Sequence, residues 1–205
     1  MSINKDGTRI YLSLYRSFQI LERNLNNTYS EVYSKSFFIP FYRCIITEDE
    51  SMLIIGFTNG VVEIYRNDSN GFTLNQTIND SDNNEIYAVT ISEDNKKIAS
   101  SETSVNKLRI YEEIGNQFIL KQTISVSIFL FSIYLSTSSM IINGFSSQVF
   151  VYEFNGSYVL TDTIQTNETA ITDIKIEGDL SKIALGGSSQ NLSIFIKENE
   201  TYSLS

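Results

Sequence analysis

The chain contains no histidine in 205 residues. Ser-His-Asp and Cys-His arrangements therefore cannot be built. Cys44 is the single cysteine, so no intrachain disulfide forms, and a zinc site of the usual kind lacks its ligands. No Gly-x-x-x-x-Gly-Lys segment is present to cradle phosphates. What remains is carboxylates. Three short acidic stretches stand out, Glu48-Asp49-Glu50, Glu93-Asp94 and Glu177-Asp179. Calcium or paired-carboxylate hydrolysis needs several oxygens converging on one point. These stretches sit at one hairpin of separate repeats, so the sequence predicts solvated turn residues there. Gly186-Gly187 marks local backbone freedom at a strand end. Cys44 lies inside the apolar run Phe41–Ile46, which predicts packing rather than reactivity. No catalytic, cofactor-binding or metal-binding residue is assigned from the sequence, and no cofactor is expected.

Asn-x-Ser/Thr occurs at Asn26, Asn67, Asn75, Asn79, Asn155, Asn167, Asn191 and Asn199. About four such triplets would arise by chance in a chain this rich in Asn, Ser and Thr, and each is a glycan acceptor only in a secreted protein. Turn composition explains them as well.

The elements that would position any chemistry are strands. Apolar residues make up 41%, enough for a core. Ile, Thr, Tyr and Phe favour strands, while Asn and Ser favour turns. A net charge of -9 disfavours phosphate backbones and anionic membrane surfaces. The longest apolar run, residues 128–135, is far shorter than a membrane-spanning helix and predicts a buried strand. No apolar segment follows the first residues, so no signal peptide is expected, and the lone cysteine suits a reducing, cytoplasmic setting.

One phrase recurs along the chain. "LIIGFTNGVVEIY" closes on Tyr65, "KIASSETSVNKLRIY" on Tyr111, "MIINGFSSQVFVY" on Tyr152 and "KIALGGSSQNLSIF" on Phe195. A fainter copy closes on Leu21, so successive closing positions lie 44, 46, 41 and 43 apart. A polar, mostly acidic turn precedes each phrase, and a segment such as "GFTLNQTI" or "QFILKQTI" follows it. Each unit thus holds four alternating segments, for example 87–91, 96–101, 107–113 and 118–124. Four antiparallel strands every 40 to 50 residues predict an all-β β-propeller. Its blades of about 43 residues are expected at 1-36, 37-84, 85-127, 128-168 and 169-205, as one domain over 1-205. The first and last are incomplete. That predicts a ring completed by more chain or another subunit, with a compact five-bladed ring whose terminal strands share one blade as the alternative. In step with Phe72-x-x-x-Gln76 and Phe118-x-x-x-Gln122, Tyr202 predicts a Gln just past the last residue.

"AVTISEDNKKIAS" with "LRIY", and "ALGGSSQNLSIF", resemble WD40 repeats. Gly56 to Tyr65 and Gly186 to Phe195 keep a spacing of nine. The Trp-Asp and Gly-His pairs of that family are missing, so its hydrogen-bonded tetrad is not expected. Tyr65, Tyr111, Tyr152 and Phe195 must hold the outer layers by packing. The outer segment also resembles FG-GAP propellers, whose Asp-rich calcium loop is absent.

The resemblance implies a non-catalytic scaffold that binds protein or peptide partners and no nucleic acid. Two loop sets would do the docking: Asn79–Asn84, Ser125–Ser127 and Gln165–Thr169, and Phe57–Gly60, Glu102–Asn106 and Ser146–Gln148. The alternative is a secreted or cell-surface propeller that binds glycans or adhesion partners. A third option, a propeller lactonase or glycosidase, would need converging carboxylates or a metal.

Overall fold

The computed structural model describes residues 2–69, 71–79, 84–168, 170–177, 180–188, 192–198 and 201–204. These form twenty strands and, among the described residues, no helix. The strands make five four-stranded antiparallel meanders, so the architecture is all-β and propeller-like. Sheet one holds β1 (Ser2–Ile3), β2 (Arg9–Leu14), β3 (Ser17–Arg23) and β4 (Tyr29–Ser36). Sheet two holds β5 (Phe41–Ile46), β6 (Met52–Phe57), β7 (Val62–Asp68) and β8 (Gly71–Ile78). Sheet three holds β9 (Ile86–Ile91), β10 (Lys97–Glu102), β11 (Lys107–Ile114) and β12 (Gln117–Ser125). Sheet four holds β13 (Leu130–Leu135), β14 (Ser139–Gly144), β15 (Gln148–Phe154) and β16 (Tyr158–Gln165). Sheet five holds β17 (Ile171–Glu177), β18 (Lys182–Gly187), β19 (Leu192–Glu198) and β20 (Thr201–Leu204). The expected segments of the third repeat fall within one residue of β9–β12.

Two compact units are present, Met1–Tyr87 and Ala88–Ser205. In the first, sheets one and two share a core that includes Phe18, Ile20, Phe41, Leu53, Phe57 and Phe72. In the second, Leu108, Leu130, Met140 and Ile142 fill the seam between sheets three and four. Ile141, Val151, Ile171, Ile183 and Leu185 fill the seam between sheets four and five. Both faces of sheet four are covered, and β14 is buried throughout. Alternation decides which residue enters which seam, since neighbours on a strand point to opposite faces. Ile141 and Ile142 accordingly serve different cores.

The closing aromatics do what the missing tetrad would do. Tyr65, Tyr111, Tyr152 and Phe195 are 4%, 2%, 7% and 5% exposed. The third-to-fourth strand register shifts just before Tyr65, Tyr111 and Tyr152, so a bulge seats each tyrosine.

The acidic turns have a structural task. Oδ1 of Asp6, Asp49 and Asp94 accepts the main-chain N–H two residues on, at 3.0, 3.0 and 3.1 Å. These are Asx turns between the first two strands of a sheet. The next residues, Gly7, Glu50 and Asn95, take φ of 69°, 57° and 60°. Glu48, Asp49, Glu93 and Asp94 are exposed turn residues, as expected, and Glu50 is half-buried. Glu50 accepts from Tyr11 at 2.6 Å and pairs with Arg9, tying sheet two to sheet one. Glu93 accepts from the Tyr134 phenol at 2.9 Å, tying sheet three to sheet four. Among the described residues no three His, Cys, Asp or Glu side chains gather as a metal site. Asp179, Asn191 and Asn199 lie outside the described residues, as do parts of the expected loops 79–84 and 165–169. Among the described residues no helix is long and apolar enough to cross a membrane.

Candidate functional site

In a four-stranded meander the second-to-third loops and the entry to the first strand share one end of the sheet. At that end the first strand carries an extra residue. Phe41 pairs with Phe57 and Arg43 with Gly56, leaving Tyr42 over. Leu130 pairs with Gly144 and Ser132 with Asn143, leaving Phe131 over. Ile171 pairs with Gly187 and Asp173 with Gly186, leaving Thr172 over. One hydrogen bond closes each bulge: Thr58 N–H to Pro40 C=O at 3.0 Å, Phe145 N–H to Phe129 C=O at 3.0 Å, and Ser188 N–H to Ala170 C=O at 2.9 Å. Bulges of this kind re-aim side chains and cluster beside functional sites. Single-residue periodicity cannot reveal them, because the extra residue keeps the local strand pattern intact.

In the first unit the bulge seats Tyr42 in polar company. Its ring centroid lies 5.0 Å from that of Tyr87, at an interplanar angle of 33°. Its phenol donates to Glu85 Oε2 at 3.3 Å. Burial first, and the Glu85 carboxylate next, hold the Tyr42 phenol above its ordinary pKa, with smaller pushes from Tyr15 and Tyr87. Tyr15 sits in the turn after β2, where its carbonyl accepts the Phe41 N–H at 3.0 Å. Tyr15 and Tyr42 are 64% and 42% exposed. The Arg16 guanidinium stands 5.9 Å over the Tyr15 ring, and Arg43, next after the bulge, is exposed. Rings, a carboxylate and cations thus share this end.

In the second unit the same position is apolar. Phe131 lies 4.5 Å from Phe145 and 5.4 Å from Phe129, centroid to centroid. A Cβ on Gly144 would stand 1.7 Å from the Phe129 carbonyl oxygen, so glycine is required where these loops meet. Polar groups lie deeper. Glu102 and Arg109 pair across β10 and β11, both buried. Asn143 donates to the Ile171 carbonyl at 2.7 Å, and its buried Oδ1 has no partner among the described residues. Glu168 is buried, with its carboxylate 2.3 Å from where a Gly187 Cβ would be. Gly187 therefore admits Glu168 rather than merely loosening a strand end, which corrects the expectation for Gly186-Gly187.

The loops expected to dock partners lie at this end, but key members face inward. Phe57 is buried, Glu102 is held by Arg109, and Ser146 Oγ accepts the Gln148 N–H at 3.0 Å. Cys44 sits 3.0 Å from Ser13 Oγ, and burial pushes its thiol up to about 11. That agrees with packing over reactivity.

No family model matches the sequence, and no curated protein matches it. Solved structures match the fold. A Bacteroides fragilis protein assigned as a 6-phosphogluconolactonase aligns at TM-score 0.80 and 11% identity, over 99% of this chain and 67% of that one. The periplasmic gluconolactonase of Pseudomonas aeruginosa aligns at TM-score 0.73 and 11% identity, again over 99% of this chain and 67% of that one. The WD40 resemblance is corrected by these neighbours. A four-stranded meander of about 43 residues with an aromatic close is what any stacked blade needs, so it does not single out WD40 repeats. The expectations of a non-catalytic scaffold and of no enzyme fall with it, since both rested on that resemblance and the neighbours are lactonases. What this chain shares with both structures is the all-β, propeller-like fold.

Proposed function

We propose that the chain belongs to a propeller hydrolase that opens cyclic esters of polyhydroxy acids. The observation that supports this most is the fold match to two sugar lactonases over almost the whole chain. In lactone opening, water adds to the ester carbonyl and gives its proton to a base. The tetrahedral oxyanion then collapses, the ring C–O bond breaks, and the leaving hydroxyl takes up a proton. Without histidine the base is a carboxylate. Glu102 is paired with Arg109, and the candidate for the role is Glu85, at the bulged end of the first unit.

The same proposal places the protein in the cytoplasm, on the strength of its lone cysteine. It also has the ring completed by further chain or another subunit, because the matched lactonases are half as long again. Native mass measurement tests the last point.

The direct experiment is proton release from glucono-1,5-lactone and its 6-phosphate in a weakly buffered indicator assay. The expected result is turnover above spontaneous hydrolysis, falling at acid pH as the base protonates. Glu85→Gln should remove most of it. A rate equal to the protein-free control with both lactones would sink the proposal.

A further inference from the structure

We propose that Tyr42, Tyr87 and Glu85 form a binding subsite for a polyhydroxylated six-membered ring. The subsite rests on the hydrolase proposal only for its choice of probe. The two phenol rings are neither stacked flat nor edge-on; at 5.0 Å and 33° they pack against each other as a closed wedge, so a ligand meets the exposed part of Tyr42 rather than the space between the rings. An aromatic face carries negative charge density that attracts the C–H face of a sugar ring, while its area shields that face from water. The hydroxyls on the rim of such a ring need acceptors. Glu85 supplies a carboxylate with about four lone-pair positions. The Tyr42 phenol donates to it at 3.3 Å, longer than a good O–H···O bond of about 2.7 Å. A ligand hydroxyl competes with so long a contact.

The backbone spends structure on this wedge. Tyr42 is the extra residue of a bulge, and it is 42% exposed while its neighbour Phe41 is 2% exposed. Phe41, Phe57 and Phe37 fill the core beneath without it. The start of β5 is pinned on both sides, by Phe41 N–H to Tyr15 C=O and Thr58 N–H to Pro40 C=O, each at 3.0 Å. An exposed tyrosine held this firmly adds little to stability, so its value lies in what it meets. At the matching position in the second unit the described ring contacts of Phe131 are Phe129 and Phe145, whereas the wedge of the first unit has the Glu85 carboxylate beside Tyr42. A ligand hydroxyl finds an acceptor at that carboxylate, and a hydroxyl left unpaired costs affinity.

The experiment uses D-glucono-1,5-lactam, a ring that cannot be hydrolysed, in saturation-transfer NMR and competition titration with the whole protein. Saturation should appear on the ring C–H protons. Tyr42→Ala and Glu85→Gln should each weaken binding about tenfold, whereas Tyr42→Phe, which keeps the ring, should lose about threefold or less. Unchanged melting temperatures establish that the variants fold. No lactam binding by the native protein, or equal binding by all variants, overturns the subsite. The two proposals separate cleanly. Lactam binding with this variant pattern but no lactone turnover keeps the subsite and removes the hydrolase. Turnover with an unchanged KM in Tyr42→Ala keeps the hydrolase and removes the subsite.

Discussion

The Gln122 side chain grips the main chain of Tyr158 with both of its ends. Its Nε2 donates to the Tyr158 carbonyl and its Oε1 accepts the Tyr158 N–H, each at 2.8 Å. Gln122 lies on β12 and Tyr158 on β16, the last strands of sheets three and four. One carboxamide thus imitates a strand partner and stitches two sheets at their outer rim. The Tyr158 phenol donates onward to the Ser136 carbonyl at 2.8 Å, and Lys97 inserts its ammonium 3.7 Å from the Phe154 ring.

Gln122→Met keeps the length and removes both hydrogen bonds. We expect a loss of about 1–3 kcal/mol, because two main-chain groups lose their partners. Urea unfolding measures it, and an unchanged midpoint would show that water replaces the carboxamide at no cost.

Tyr111→Ala should cost about 3–5 kcal/mol, as a large buried ring leaves a cavity. Tyr15→Ala, at an exposed turn, should fall within about 0.5 kcal/mol of the native protein. Equal effects from the two would mean that the closing aromatics do not carry the outer layers.

Glu102→Gln leaves Arg109 charged and buried, which should destabilise the chain by about 3–5 kcal/mol. Replacing both together, as Glu102→Leu with Arg109→Met, should recover much of that loss. A double variant as unstable as the single one would argue against uncompensated charge as the cause.

Alkaline pH should loosen the seam between sheets three and four. Burial first, and the Glu93 carboxylate next, push the Tyr134 phenol up to about 12 from 10.0. In the window between these values the unfolded chain releases this proton and the folded one keeps it. The unfolded state then binds fewer protons, so stability falls as pH rises. Thermal melts should be flat up to about pH 10 and decline above it, with a shallower decline in Tyr134→Phe. Identical slopes would remove Tyr134 from the effect.

Much of the fold was legible in the sequence because it is local and repeated. Alternation marks which face of each strand is buried, and turn residues mark where it reverses. The period of about 43 follows from a blade's inability to bury itself alone. From these came the four strands of each unit and the four closing aromatics. Function was not legible in the same way. The WD40 resemblance rested on features common to stacked blades, so it carried the architecture correctly and the activity wrongly. The acidic turns looked like solvent-facing punctuation, yet Glu50 and Glu93 reach neighbouring sheets.

The sequence by itself determined the strands, the turns, the all-β repeat and the absence of histidine-based chemistry. Only the tertiary structure decided where the bulges lie and what they bring together. A bulge appears when two strands set their register, and no single strand encodes its partner's count of residues. Tyr42 lies a whole sheet of chain before Glu85 and Tyr87, which stand two residues apart at the start of β9. Their meeting is a property of the folded first unit, as the grip of Gln122 on Tyr158 is of the second.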